Sequence, residues 1–292
     1  MRLNFAILLT ACALICRTGG AQTTISDRPF DVTVGNGLWG VFLPDYEIGT
    51  DGEGEPVLTD NGDFLGYQGD LRLIRRFLHT RTSVEARVFY GAAQTSESNS
   101  VTSVDVGGDL GETSIVLGEG ISHLQSDIDH YGYDLGLRDT WKTRFGGFSA
   151  GCLFSYMIFD QNYEISHGTD QILNEEITSE FIGGKATFGW DGYIRDCPSI
   201  LDLSIGFHQL RSDYLGRSPQ FTTQSQEHLY ANPTTIEAAF TTFKSIRDVR
   251  LGTTFAVTHL GDMPQIIRGV GETPTIRFDD GLMLRLMFEI LL

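Results

Sequence analysis

The sequence predicts an all-β protein: a single antiparallel up-and-down transmembrane β-barrel of about ten strands, with eight or twelve strands as alternatives. Three observations predict it. Apolar and polar residues alternate with a period of two over many segments of about ten residues. The connections between these segments alternate strictly between short and long. The polar face of the segments carries charges while the other face is apolar, as expected for strands that lie between lipid and a polar interior.

The C-terminal segment 282–292, LMLRLMFEILL, alternates most clearly. Its apolar face runs from Leu284 to Leu292, and its other face carries Arg285 and Glu289. A tilted strand needs about 9–11 residues to cross a bilayer, and the segments approach that length. Similar alternation recurs near 84–90, 130–138, 147–158, 182–191, 201–208 and 251–259, and more weakly near 32–43, 67–76 and 234–244.

The connections fall into two classes, which is the pattern of outer-membrane barrels with short periplasmic turns and long outer loops. An apolar-Arg-Asp trio recurs at Leu137–Asp139, Ile194–Asp196 and Ile246–Asp248. It predicts the start of a short turn, with Asp bonding backbone N–H groups and Arg at the lipid boundary. The short connections lie near 78–81, 138–144, 195–199 and 245–249, and the long ones near 44–64, 93–126, 159–176, 212–233 and 260–279.

Charge is distributed unevenly along the chain. The formal net charge is −17 at pH 7, which argues against a nucleic-acid partner because phosphates would repel the surface. The loop Pro44–Asp63 holds seven acidic residues and no basic one, and the loops 93–126 and 159–176 lack Lys and Arg. Basic residues gather in the strands and short turns. The negative charge is therefore predicted to lie mainly outside the cell.

The N-terminus predicts export. A basic start at Arg2, an apolar run Leu3–Ile15 and small residues Gly19–Ala21 indicate a secretory signal at 1–21. A short segment 22–30 and a barrel 31–292 follow in this prediction. The alternative is a lipoprotein processed at Cys12, within LTAC, and the apolar run is too short for a membrane-spanning helix.

No motif in the sequence predicts catalysis. GFSAG at 147–151 matches a hydrolase pattern, but Ser149 lies within an alternating strand and no helix follows. Ser204 and His208 share a strand face but lie about 13 Å apart along it. The seven histidines lack zinc spacing, and the acidic run 51–60 lacks EF-hand order. We therefore expect no enzymatic activity, no catalytic residue, no cofactor and no metal site.

The polar strand face is predicted to line the lumen, where charges of both signs can pair. A barrel of about eight strands is filled by side chains and one of about sixteen holds a channel, so ten strands fall near the closed end. The candidate lumen residues are Asp70, Arg72, Glu85, Arg87, Asp134, Arg138, Glu180, Lys185, Asp202, Glu237, Arg285 and Glu289.

The segments GLRDTWKTRFGGFSAGCLFSY and EFIGGKATFGWDGYI, with the C-terminal strand, resemble bacterial outer-membrane barrels. They are similar to barrel porins of the Legionella major outer-membrane protein and planctomycete types. The resemblance covers the chain from about residue 30, although the chain ends in Leu291–Leu292 where the usual assembly signal ends in an aromatic residue. It implies an outer-membrane location and, as partners, outer-membrane lipid and the barrel-assembly machinery.

Two roles lead the functional expectation: a small passive pore for ions or solutes, if the lumen is open, or a structural or surface protein with long acidic outer loops. Three alternatives stay open. The protein could be a surface protein or adhesin that binds a ligand or an ion, an outer-membrane hydrolase, or a soluble exported all-β protein.

Overall fold

The chain forms a closed barrel of ten antiparallel strands, which confirms the predicted fold class. A computed structural model describes residues 30–50, 56–60, 62–77, 80–101, 104–105, 116–194, 197–219, 224–246, 249–267 and 275–292. In these ranges no helix is long and apolar enough to cross a membrane. The predicted signal at 1–21 lies outside the described residues, and the division of the chain at 22–30 stays a prediction.

The barrel strands are numbered β1 to β10 in chain order. The eighth has two parts separated by Asn232 and Pro233. The strands are β1 Phe30–Phe42, β2 Asp63–Arg76, β3 Thr82–Val101, β4 Gly120–Thr143, β5 Gly146–His167, β6 Asp170–Ile194, β7 Cys197–Arg217, β8 Gln224–Ala231 and Thr234–Ile246, β9 Val249–Ile267, and β10 Thr275–Leu291.

Each strand pairs with its neighbours in the sequence, and β1 pairs with β10 to close the barrel. Both parts of β8 pair with β7, so they form one wall element. The break coincides with Pro233, which has no N–H to donate to the ladder. The carbonyl of Pro233 still accepts a hydrogen bond from the N–H of His208 at 3.1 Å. The wall closes through β1 and β10, but among the described strands the first part of β8 pairs only with β7 and has one open edge.

The apolar face of the wall changes sides along each strand. On the short-turn half of β4, Tyr133, Leu135 and Leu137 point outwards and are exposed. On its other half the same strand buries Ile128 and Leu124 inside the barrel. Strand β5 behaves alike, with Phe154 exposed outside and Tyr163 buried inside. The exterior is therefore apolar near the short turns and polar beyond them.

Tyrosines mark where the outer apolar belt ends. The hydroxyl of Tyr90 donates to Asp129 at 2.7 Å and that of Tyr131 to Asp160 at 3.1 Å. At the other border Trp190 Nε1 donates to the carbonyl of Phe145 at 3.1 Å. The part of β4 between these two borders, from Tyr131 to Trp141, is about 33 Å long. A strand tilt of about 40° reduces its height along the barrel axis to about 25 Å. This matches the apolar band of membrane barrels.

Much of what the sequence predicts as long loops is strand. Strands β5 and β6 run on to a tight turn at Gly168, whose φ is 62°, so most of the predicted loop 159–176 is a hairpin. The sequence hides these extensions because their apolar residues lie on the face opposite to that of the membrane segments. The outer face of these extensions also carries acidic residues such as Asp160 and Glu164, and acidic residues in sequence are typical of a solvated loop.

The predicted turn at Leu137–Asp139 is wrong. Strand β4 continues through it to Thr143, and the turn follows there, at residues 144–145. Arg138 points into the lumen and pairs with Asp202 at 2.7 Å, so it does not lie at the lipid boundary. The partner carboxylate inside the barrel explains the difference. The corresponding Asp196 and Asp248 lie outside the described residues.

The switch of faces predicts different tolerance to charge along one strand. Replacing Phe154, which lies within the outer belt of β5, with Arg should destabilise the barrel by about 2–4 kcal/mol in lipid vesicles. The matched change Asn162→Arg, on the same outer face beyond the belt, should cost less than about 0.5 kcal/mol. Guanidinium unfolding of vesicle-embedded protein measures both. Equal costs would contradict the assignment of the belt.

Candidate functional site in the lumen

The charged side chains of the short-turn half enclose a cavity of about 880 Å³ inside the barrel. It extends to the rim of the short turns, where Thr80, Lys142 and Tyr193 line it. Eleven of the twelve candidate lumen residues line this cavity. They are Asp70, Arg72, Glu85, Arg87, Asp134, Arg138, Lys185, Asp202, Glu237, Arg285 and Glu289.

Glu180 is the exception, and the prediction for it is wrong. The hydroxyl of Tyr156, which points away from the lumen, donates to its carboxylate at 3.5 Å. Glu180 lies beyond the point on β6 where the apolar face changes sides, next to buried Phe181. Extending the alternation of apolar and polar residues from the apolar belt to this part of β6 therefore assigns Glu180 to the wrong face.

The lower tier of ion pairs, nearer the short turns, crosses the barrel. Arg72 Nε lies 2.7 Å from Glu85, and its Nη1 lies 3.6 Å from Asp202 on the opposite wall. Arg138 lies 3.0 Å from the other oxygen of Glu85 and 2.7 Å from Asp202. Two arginines and two carboxylates thus form a closed ring across β2, β3, β4 and β7. Each charge has two partners of the opposite sign.

An upper tier lies above the ring and continues it towards the long-loop end. Arg285 lies 2.7 Å from Glu237, which lies 3.8 Å from Arg87. Arg87 also pairs with Asp70 and lies 4.0 Å from Asp134. Lys185 Nζ lies 2.9 Å from Asp134 and completes the chain of pairs. Three cations and three carboxylates therefore balance within this tier.

An apolar plug fills the barrel above the upper tier. Trp39, Phe159 and Phe181 are wholly buried, although their strands lie on different sides of the lumen. Every barrel strand contributes a residue, and the sequence does not predict this cluster because its members come together only when the barrel closes. The plug consists of Trp39, Val41, Leu43, Phe64, Phe89, Ala93, Ile128, Met157, Phe159, Phe181, Leu210, Leu260, Met263 and Met283, with Ala231 and Phe278 packed against it.

A hairpin of the first long loop closes the mouth above the plug. Its strands Tyr46–Thr50 and Pro56–Asp60 pair with each other, and Tyr46 and Leu58 are buried. Tyr46 stacks on Tyr163 with ring centroids 4.0 Å apart. Its hydroxyl donates to Glu175, a fully buried carboxylate that also accepts from Tyr214. Burial raises the pKa of Asp60 at the end of the hairpin.

The residues considered for catalysis show no catalytic arrangement. Ser149 lies within β5, and its Oγ accepts a bond of 3.4 Å from Arg138, a charge already paired with carboxylates. Asp202 is held by the lower tier, away from His208. His208 is buried, and its ring meets Phe181 edge-on at 6.2 Å. In the described ranges no group of three His, Cys, Asp or Glu side chains is placed to hold a metal ion.

Comparison with known proteins adds little to this geometry. No protein-family model and no curated sequence matches the chain. The outer-membrane protease OmpT from Escherichia coli is similar in structure at 9% identity and a TM-score of 0.48, over 92% of this chain and 97% of that one. A Pseudomonas aeruginosa FadL homologue is similar in structure at 8% identity and a TM-score of 0.34, over 90% of this chain and 89% of that one. Neither likeness says what this chain does, and the resemblance to specific porin families stays an expectation.

The lower tier generates a prediction about stability. Replacing Arg138 with Met should destabilise the barrel by about 3–5 kcal/mol, because two shielded carboxylates each lose a partner. The change Arg211→Met breaks an exposed pair with Asp213 on the outer wall and should cost about 0–1 kcal/mol. Urea unfolding of the two variants compares them directly. A cost for Arg138→Met no larger than that for Arg211→Met would contradict a structural role for the ring.

Proposed function

We propose that this protein is an outer-membrane β-barrel that conducts no ions and serves as a structural and surface protein. Its wall anchors it in lipid, and its extended strands and acidic hairpin face outwards. The single observation that supports this best is the apolar plug. All ten strands of the barrel send side chains into it, and its largest members are fully buried.

The outer belt supports the membrane location. Phe154, Phe188 and Phe207 expose 46%, 49% and 65% of their surfaces, which water would disfavour and lipid would not. The closure of the wall by β1 and β10 supports the same location. The hydrocarbon core of a membrane offers no water to backbone N–H and C=O groups, so strands cross it only when those groups bond each other. A soluble exported protein would have no reason to place its apolar face outside on half of each strand. The proposed partners are outer-membrane lipid and the barrel-assembly machinery, and we propose no nucleic-acid partner.

The lumen supports a closed barrel over a passive pore. A passing ion would have to leave the charged cavity and cross the plug, where the cost of transferring a charge into an apolar medium is several kcal/mol or more. The ion-pair tiers already use the charges that a conducting pore would offer to ions. The cavity therefore ends blind below the plug. We propose no enzymatic activity, since the two serines that the sequence offered, Ser149 and Ser204, have no histidine base among the described residues: Ser149 bonds Arg138, and His208 bonds neither of them.

Conductance tests the proposal. Purified, folded protein in a planar bilayer should give no stepwise current in salt on either side, because the plug has no water-filled path. Heat-modifiable migration of the same sample on a gel checks that the barrel is folded. Regular single-channel steps from folded protein would contradict the closed lumen. Cation preference of those steps would instead support the passive pore with acidic outer loops.

Orientation is tested separately by labelling single cysteines in a variant that lacks both Cys152 and Cys197. A membrane-impermeant maleimide on intact cells should label Asn162→Cys, which lies beyond the belt at the long-loop end. It should label Arg144→Cys, at the short turn, only after the outer membrane is permeabilised. The reverse pattern would invert the barrel, and equal labelling of both sites on intact cells would contradict a membrane location.

A further inference from the structure

A small second cavity lies between the upper tier and the plug. Its volume is about 20 Å³, which is enough for one particle of the size of a water molecule. The lining joins two kinds of side chain. Arg87, Lys185, Glu237 and Arg285 come from the upper tier, and His130 comes with the aromatic residues of the plug. The cavity therefore lies where the charged part of the lumen meets the apolar part.

His130 is the least satisfied polar side chain there. It is 3% exposed, and its ring stacks on Phe159 at 4.3 Å and on Trp39 at 5.6 Å. Within the described residues, neither ring nitrogen has a hydrogen-bond partner. Leaving a buried polar group without a hydrogen bond costs about 1–3 kcal/mol, so such a group usually bonds another protein group, an ordered water molecule or an ion. The imidazole lines the cavity that would hold one.

Hydrogen-bond donors outnumber acceptors around the cavity. Three cations line it but only one carboxylate, Glu237. That carboxylate is already occupied, since Arg285 lies 2.7 Å from it and Thr258 donates to it at 3.2 Å. The Nε of Arg285, by contrast, is buried without a hydrogen bond in the described part of the chain. The carboxylates that neutralise the other two cations, Asp70 and Asp134, lie outside the cavity lining.

We propose that this cavity binds a single halide ion, chloride under ordinary conditions. A monovalent halide is close to water in size, whereas sulfate and phosphate exceed the cavity. It accepts several hydrogen bonds and donates none, which matches a lining rich in donors. Among the described residues, His130 N–H and Arg285 Nε–H are donors without a partner, and the hydroxyl of Thr235 also lines the cavity. Low dielectric surroundings strengthen the attraction between the ion and the cations.

The ion would connect the upper tier to the plug. The tier is a chain of charged pairs and the plug is an aromatic stack, and among the described residues His130 makes no hydrogen bond that links them. A bound halide gives His130 a partner and adds a negative charge beside three cations. Because the unfolded chain lacks this cavity, the halide binds only the folded barrel and stabilises it by mass action.

Crystals of the protein grown or soaked in sodium bromide test the site directly. Bromide scatters anomalously, so a peak inside the cavity, within hydrogen-bond distance of His130 or Arg285, is the expected result. Density for a water molecule without an anomalous peak, at bromide concentrations that label surface sites, would overturn the proposal.

Thermal unfolding in detergent gives a second readout. At constant ionic strength, replacing sodium gluconate with sodium chloride should raise Tm saturably, on the order of 2–4 °C. The change Thr235→Val removes one donor at the cavity and should reduce that rise. Thr253→Val is the matched control, because Thr253 lies on the outer face of β9, and it should keep the full rise. An equal Tm in the two salts, or the same chloride dependence in both variants, would contradict binding at this cavity.

Discussion

The structure depends on one constraint: the outer face of each barrel strand is apolar on one stretch and polar on the next, which in the proposed location means lipid on the first stretch and water on the second. Beyond the tyrosine border the outside becomes polar, and the inside must then supply the apolar core. Strand β4 shows both halves: Leu135 lies on the outer face within the belt, and Ile128 lies on the inner face of the projecting part. Because side chains alternate with a period of two, this change needs only a switch in which residues of the same strand are apolar.

The two fillings of the lumen follow from the same requirement. Within the belt the apolar side chains are used on the lipid face, so the interior must be lined by polar ones. In a barrel of ten strands these approach each other across the lumen, and pairing limits the cost of shielding their charges. Arg72 and Asp202 meet from opposite walls in this way. Beyond the belt the interior can be apolar, and there Trp39 and Phe181 close the barrel.

The sequence predicts the membrane half well and the projecting half poorly. Alternation within the belt is regular, so ten strands and the lumen positions of residues such as Asp70 and Arg285 follow from parity alone. Parity fails where the apolar face changes sides, as Glu180 shows. At Arg138 parity is right and the turn motif is wrong, because Glu85 and Asp202 hold the guanidinium inside the lumen while β4 continues past it. The plug could not be predicted, because its members come from every strand and meet only when the barrel closes.

The most direct measurement is the environment of spin labels placed one by one along the outer face of β5, from Cys152 to Glu164, in vesicles. Positions up to Ile158 should collide with oxygen dissolved in lipid, and positions from Asp160 onwards should collide with a water-soluble nickel complex. This places the boundary beside the tyrosine border. Access to the nickel complex along the whole strand would contradict a membrane-spanning wall, and access to oxygen along the whole strand would contradict a projecting barrel.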